Sequence, residues 1–238
     1  MTSKIKGILF DKDGTLYDFN ATWAGWTVRF IRSLAGSEDT AAELAAVLGF
    51  DLGTQSFAAD SIVIAGTPRE IVRAIRRSFR AWSEADLLAR VRLSSARTEL
   101  VEAVPLAPLL DQLRAGGLVL GVATNDLQSV AEAHLAASCV ADRFAFIAGC
   151  DSGYGAKPGT GMQEAFCRQS GLAREEVAMI GDSVHDLMSG RDAGMTTIGV
   201  LTGPAGRDTL APYADAILAD IGGLPGWLGL RPGAPNAT

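Results

Sequence analysis

The chain is poor in the residues that build most inorganic and redox sites. Its 238 residues include two histidines and three cysteines. Cys139, Cys150 and Cys167 show no Cys-x-x-Cys spacing, so no zinc site is expected. Their odd number reads as free thiols of a reducing compartment. No apolar run approaches the about 18 residues of a transmembrane helix. The opening "MTSKIKGILFDKDG" breaks its apolar run too early for a signal peptide. A cytoplasmic location is therefore expected, and no membrane partner. Positive charge is not in excess either. A net charge of −6 argues against nucleic acid as the main partner. No G-x-x-x-x-G-K-[ST] loop exists, which excludes a P-loop NTPase, and no internal repeat or low-complexity tract is found.

What is present suits a globular α/β protein, with 48% hydrophobic residues and 27 glycines. After residue 100, short apolar runs of strand length alternate with helical patterns. The runs are "LVLGVATND" (118–126), "FAFIAG" (144–149), "VAMIGD" (177–182), "TTIGV" (196–200) and "ADAILA" (214–219). Between them, "PLAPLLDQLRAGG" stops at a glycine pair and "LQSVAEAHLAAS" has helical apolar spacing. "TGMQEAFCRQSG" opens on a capping-box pattern, Thr160 and Gln163, and closes at Gly171. Such alternation predicts a parallel sheet with helices on both faces. Residues 17–92 differ: three helical patterns follow one another with no clear strand. The expected organisation is a Rossmann-like core of residues 1–16 and 93–228, an all-helical insert over 17–92 and a fraying tail over 229–238.

Two stripes in the insert have competing readings. Arg69, Arg73, Arg76, Arg77 and Arg80 read as a solvated helix face before an anion-binding surface. Trp23, Trp26 and Phe30 read as core before substrate wall.

In an open α/β sheet, ligands bind beyond the carboxyl ends of the strands. The run Ile8-Leu9-Phe10 ends at Asp11 and Asp13, one residue apart. An EF-hand loop would need glycine at position six and glutamate at position twelve, and it has neither. The next strand ends at Thr124 and Asn125. The third leads into "CDSGYGAKPG" with Lys157, and the fourth ends at Asp182, with Asp186 four residues on. Singly, each has a plain reading as turn, helix cap or solvated side chain. Together they form one charged edge. Four crowded carboxylates call for a hard divalent cation, and oxygen-only ligands fit Mg²⁺. Lys157 adds positive charge, Thr124 a hydroxyl, and Gly14 lets backbone N–H groups approach an anion. Those are the needs of a phosphoryl group, with a carboxylate as the simplest nucleophile.

"DKDGTL" (11–16), "ATND" (123–126), "KPG" (157–159) and "GDSVHD" (181–186) resemble, in order, the four motifs of the haloacid dehalogenase superfamily. The insert is similar to the C1 cap of its phosphoglycolate phosphatase-like members. The resemblance implies Asp11 as the nucleophile that becomes aspartyl-phosphate and Asp13 as general acid/base, its carbonyl also binding metal. It implies Thr124 and Lys157 as phosphoryl ligands, with Gly14 and Asn125 beside them, and Asp182 as a metal ligand, with Asp186 either a second ligand or a support behind it. Asp18 resembles a residue common at the cap hinge. Asp13 favours ester hydrolysis over dehalogenation, because an alcohol leaving group needs a proton. Thr160 stands where relatives often carry a second proline, and His185, unusual between two acids, reads as a solvated helix position before a pocket residue. The implied activity is Mg²⁺-dependent hydrolysis of a small phosphorylated metabolite, 2-phosphoglycolate by family analogy. A sugar phosphomutase and a non-catalytic phosphate-binding protein on the same fold remain open.

Overall fold

The computed structural model describes residues 5–230. β1 (Gly7–Phe10) is buried along its whole length, as a strand with neighbours on both sides and helices on both faces must be. The chain then leaves the sheet. Asp18 caps α1 (Phe19–Leu34) by accepting from the Ala21 amide at 2.8 Å. α2 (Glu38–Leu48) starts at Ser37 and stops at Gly49, whose φ of 65° is the left-handed geometry of a helix terminator. A short hairpin, β2 (Phe50–Asp51) with β3 (Ser56–Phe57), interrupts the helices. α3 (Ile62–Ala65), α4 (Pro68–Ser78) and α5 (Glu84–Ser95) follow. α4 opens on a reciprocal capping box between Thr67 and Glu70, with Pro68 in its first turn.

The insert is thus helical apart from one small hairpin, and it has its own core. Trp26, Phe30, Leu44, Ile75, Leu87 and Val91 pack there together. The expected boundary at 92–93 falls inside α5, whose Leu87 and Val91 belong to that core. The chain instead returns where the Asp18 amide meets the Val101 carbonyl at 2.8 Å and the Ala103 amide meets the Leu16 carbonyl at 2.9 Å. The outgoing and returning segments are therefore tied side by side, with Asp18 at the exit.

The second half alternates as expected: α6 (Leu106–Ala115), β4 (Val119–Ala123), α7 (Gln128–Ala137), β5 (Phe146–Ala148), α8 (Gly161–Ser170), β6 (Val177–Gly181), α9 (Val184–Asp192), β7 (Thr196–Val200), α10 (Arg207–Leu210), β8 (Ala216–Leu218) and α11 (Leu224–Trp227). Six parallel strands lie in the order β5-β4-β1-β6-β7-β8. One face packs Leu110, Leu113, Leu135 and Ile221 against Ile8 and Phe10, and the other packs Phe166, Met162 and Met195 against Leu9 and Met179. Because β1 sits between β4 and β6, the ends of all three strands meet at one edge.

Two local expectations are corrected. Thr160 does not cap α8 in a box with Gln163. Its hydroxyl meets Glu164 at 2.9 Å, while Gln163 is fully buried and reaches Ser189 at 2.6 Å. Burial of Gln163 against α9 overrides the local capping pattern. The arginine stripe does not share one helix face to its end, since α4 stops at Ser78 and Arg80 lies beyond it. Of the tail expected over 229–238, residues 231–238 lie outside the described residues.

Candidate active site

Asp11 follows the last residue of β1, Thr124 follows β4, Asp182 follows β6, and Asp186 lies in the first turn of α9. Ser183 caps α9: its hydroxyl and amide both donate to Asp186 Oδ2, at 2.7 and 3.0 Å. This box fixes the Asp186 side chain and turns Oδ1 toward Lys157. Lys157 Nζ contacts Asp11 Oδ1 at 2.7 Å, Asp186 Oδ1 at 2.6 Å and the Ala123 carbonyl at 2.8 Å. The lysine expected to be solvated when taken alone is 5% exposed and bridges two motifs.

Carboxylate oxygens of Asp11, Asp182 and Asp186 lie within 4.8 Å of one another, all buried. Burial first, and then the Asp186 charge, raise the Asp11 carboxyl to about 7, with Lys157 pulling the other way. Asp182 is pushed well above the usual carboxylate range by burial, with Asp186 and Asp11 adding repulsion. For Lys157, burial alone would favour the neutral amine, but Asp11 and Asp186 outweigh it and its pKa ends above the ordinary lysine value. One ammonium thus leaves a charge deficit among three buried acids. An all-oxygen donor set with excess negative charge fits a hard divalent cation. The surroundings of Asp182 are cleared by glycine. A Cβ at Gly14, whose φ is +82°, would lie 2.3 Å from its carboxyl, and one at Gly203 would lie closer still.

Asp13 stands apart from that triad. Its Oδ1 accepts from Trp23 Nε1 at 2.9 Å and from Lys12 Nζ at 2.8 Å, and Lys12 also reaches Oδ2 at 2.7 Å. Thr124 Oγ1 accepts from the Asp126 amide at 3.1 Å, so Thr124 does start the turn into α7 while it lines the cleft. Asn125 is a clamp: its amide donates to the Lys157 carbonyl at 3.0 Å and the Ala65 carbonyl at 2.8 Å, and its oxygen accepts from the Lys157 amide at 2.8 Å. It holds the lysine loop and touches the helical insert. Trp23 and Trp26 belong both to the core and to the cleft wall, at 7% and 4% exposure. His185, read as solvated, is half-buried at the cleft.

Sequence reasoning missed Lys12 and His134. Lys12 is fully buried and joins Asp13, Asp126 at 3.2 Å and His134 Nδ1 at 3.0 Å. An ammonium only donates, so His134 accepts at Nδ1 and donates from Nε2 to the Ser95 carbonyl at 2.8 Å. Burial, with Lys12 adding to it, lowers the imidazole to about 4 and keeps it neutral. A signal existed for each. Alternation at a strand end turns Lys12 away from Asp11, and His134 sits in the apolar stripe Val130, Ala131, Leu135.

A family model described as haloacid dehalogenase-like hydrolase matches residues 8–200. The probable phosphatase IndB of Dickeya dadantii is 27% identical over 213 residues, 90% of this chain and 88% of that protein. The N-acetylmuramic acid 6-phosphate phosphatase of Pseudomonas putida is 28% identical over 84% of both. The phosphoglycolate phosphatase of Rhodospirillum rubrum is 30% identical over 52% of both. Among solved structures, CbbY of Rhodobacter sphaeroides in complex with phosphate superposes with a TM-score of 0.68 at 21% identity, covering 92% of this chain and 96% of that one.

Proposed function

The chain belongs to the haloacid dehalogenase-like hydrolases, and from that premise we propose that it is a phosphatase that hydrolyses a small phosphate monoester through an aspartyl-phosphate on Asp11. The carrying observation is the convergence of Asp11, Lys157, Asp182 and Asp186 at the carboxyl edge of the sheet. Asp11, Asp182 and Asp186, with the Asp13 carbonyl, would hold Mg²⁺. That ion would supply positive charge to the phosphoryl oxygens and keep Asp11 ionised.

An Asp11 carboxylate oxygen attacks phosphorus, and the bond to the ester oxygen breaks in line. Asp13 gives its proton to the departing alkoxide. Water then attacks the phosphorus of the acyl phosphate, and Asp13 takes its proton. Phosphate leaves and the Asp11 carboxylate is restored. Lys157, Thr124 and the backbone amides around Gly14 hold the phosphoryl oxygens, while Asn125 keeps the Lys157 loop in place. The helical insert covers the reacting atoms and excludes water. 2-Phosphoglycolate, a family-level candidate, is one substrate to assay.

Turnover of phosphate esters should vanish in excess chelator and return with Mg²⁺. Acid-quenched enzyme should carry a hydroxylamine-labile phosphoryl group that mass spectrometry places on Asp11. Asp11→Asn should lose both the adduct and at least about 10⁴-fold in kcat. Full activity in chelator, or the adduct on another residue, defeats the proposal.

A further inference from the structure

Resting on the phosphatase reading, we propose that the leaving group is an uncharged, apolar alcohol, and that the pocket disfavours esters with a second anionic group. The cavity over the carboxylates measures about 60 Å³, room for a group the size of roughly four to six waters. Its floor is acidic, with Asp11, Asp13, Asp126 and Asp186. Its roof, facing those acids across the cavity, is Phe19, Trp23, Trp26, Ile64, Ile71 and Val91.

That roof offers almost no polar contact. The Trp23 N–H is engaged by Asp13 and the Trp26 N–H by Ser94 at 3.1 Å, so both indoles present carbon to the cavity. Among the described residues Lys157 is the one lysine or arginine on the cavity wall, and it is held by Asp11 and Asp186 on the phosphoryl side. Lys12 is sealed behind Asp13. Arg73 and Arg77 line the neighbouring cleft together with Glu70. His185 borders both spaces. Glu70 lines the second space beside it, and its carboxyl lies below its usual range, first through the Thr67 amide and to a smaller degree through His185 and Arg73. A carboxylate or second phosphate on the alcohol would therefore be desolvated against aromatic carbon without a counterion of its own. An alkyl or aryl group would bury its surface there at no such cost.

Two isosteric esters isolate the charge. In 2-phosphoglycolate the phosphoryl oxygen carries a methylene and a carboxylate; in isobutyl phosphate the same skeleton ends in two methyls. With saturating Mg²⁺, kcat/KM for isobutyl phosphate should exceed that for 2-phosphoglycolate by at least about tenfold, although isobutanol is the poorer leaving group. Ile64→Arg, which puts a cation in the half-buried roof, should shift the ratio toward 2-phosphoglycolate by about tenfold, and Ile64→Met should not. Equal or better turnover of 2-phosphoglycolate by the unaltered protein overturns the inference and leaves the phosphatase reading standing. An Asp11 adduct formed from acetyl phosphate with turnover of neither ester also overturns it alone. Absence of both adduct and turnover overturns the phosphatase reading as well.

Discussion

The floor and the roof of the cleft are built on opposite principles. The floor comes from strand ends of the sheet, and its side chains are ionisable, buried and locked by one another: Lys157 to Asp11 and Asp186, Asp186 to Ser183, Lys12 to Asp13 and Asp126. The roof comes from the insert, and its side chains are held by packing, with Trp23 edge-on to Trp26 at 5.2 Å and Trp26 stacked on Phe30 at 4.8 Å. Charges in a dry site act strongly on a reacting phosphorus but tolerate little displacement. Packed apolar walls select by shape and by the absence of partners, and can change without touching the chemistry. Floor substitutions should thus appear in kcat, and roof substitutions in the choice of ester.

After loss of the Asp11 nucleophile itself, the largest effect should follow Lys157→Ala. Taken alone in the sequence this residue reads as a solvated loop lysine, but among the described residues it is the one ammonium that reaches Asp11 and Asp186. Removing it should lower kcat/KM by about 10² or more, through loss of charge-assisted contacts to the phosphoryl group. It should also destabilise the metal-free protein by about 3–5 kcal/mol, because buried carboxylates lose their partner. Mg²⁺ should restore much of the melting temperature and little of the rate. Rate measurements and melts with and without Mg²⁺ check this; unchanged kcat/KM would return Lys157 to a structural role.

A smaller loss of rate, with a comparable loss of stability, is expected for Lys12→Met. Lys12 lies under the floor and touches Asp13, Asp126 and His134, with its ammonium 5.4 Å from the centre of the Trp23 ring. Its charge holds Asp126, whose carboxyl burial pushes above the usual range. Methionine fills similar volume but leaves both acids without their cation, at a cost of about 3–5 kcal/mol. Asp13 would lose its anchor, so kcat should fall by about tenfold. Denaturant titration and kcat checks separate the two effects, and a stable variant with normal kcat would remove Lys12 from the account.

The sheet and the four motif positions were legible because they rest on local features: apolar runs, glycine stops and polar residues where strands end. That the strand ends share one edge could be read from alternation, whereas the order that sets β1 between β4 and β6 could not. Harder to read were relations that need the third dimension. Lys157 looks solvated until Asp11, 146 residues away, is placed beside it. Gln163 looks like a capping residue until α9 brings Ser189 to it. The return from the insert was placed at 92–93, inside α5, because no sequence feature marks where the backbone at Val101 and Ala103 pairs with Leu16 and Asp18. Of the Trp stripe, Phe30 packs in the insert's core, while Trp23 and Trp26 pack there and also line the cleft, since one indole can pack on one side and face a cavity on the other.

Trp23 is where roof and floor meet, and it sets the smallest and sharpest test of the comparison. Its ring belongs to the insert's core, while its N–H reaches down to Asp13 Oδ1. Trp23→Phe keeps an aromatic ring and removes the donor. Asp13 would still be held by Lys12, so the site should not collapse. A hydrogen bond to a charged group is worth about 1.5–3 kcal/mol, and Asp13 retains part of that through Lys12. A fall in kcat of about tenfold is therefore expected, with a modest change in melting temperature. Trp26→Phe serves as the matched change, because its N–H goes to Ser94 on α5 and not to an acid of the floor. It should alter the ranking of esters more than kcat. If both variants shift only the ranking, the tryptophan N–H has no part in holding the acid, and the division between floor and roof is complete. If Trp23→Phe lowers kcat and Trp26→Phe does not, closure of the insert helps to fix Asp13 for proton transfer, and the roof contributes to the chemistry through one bond.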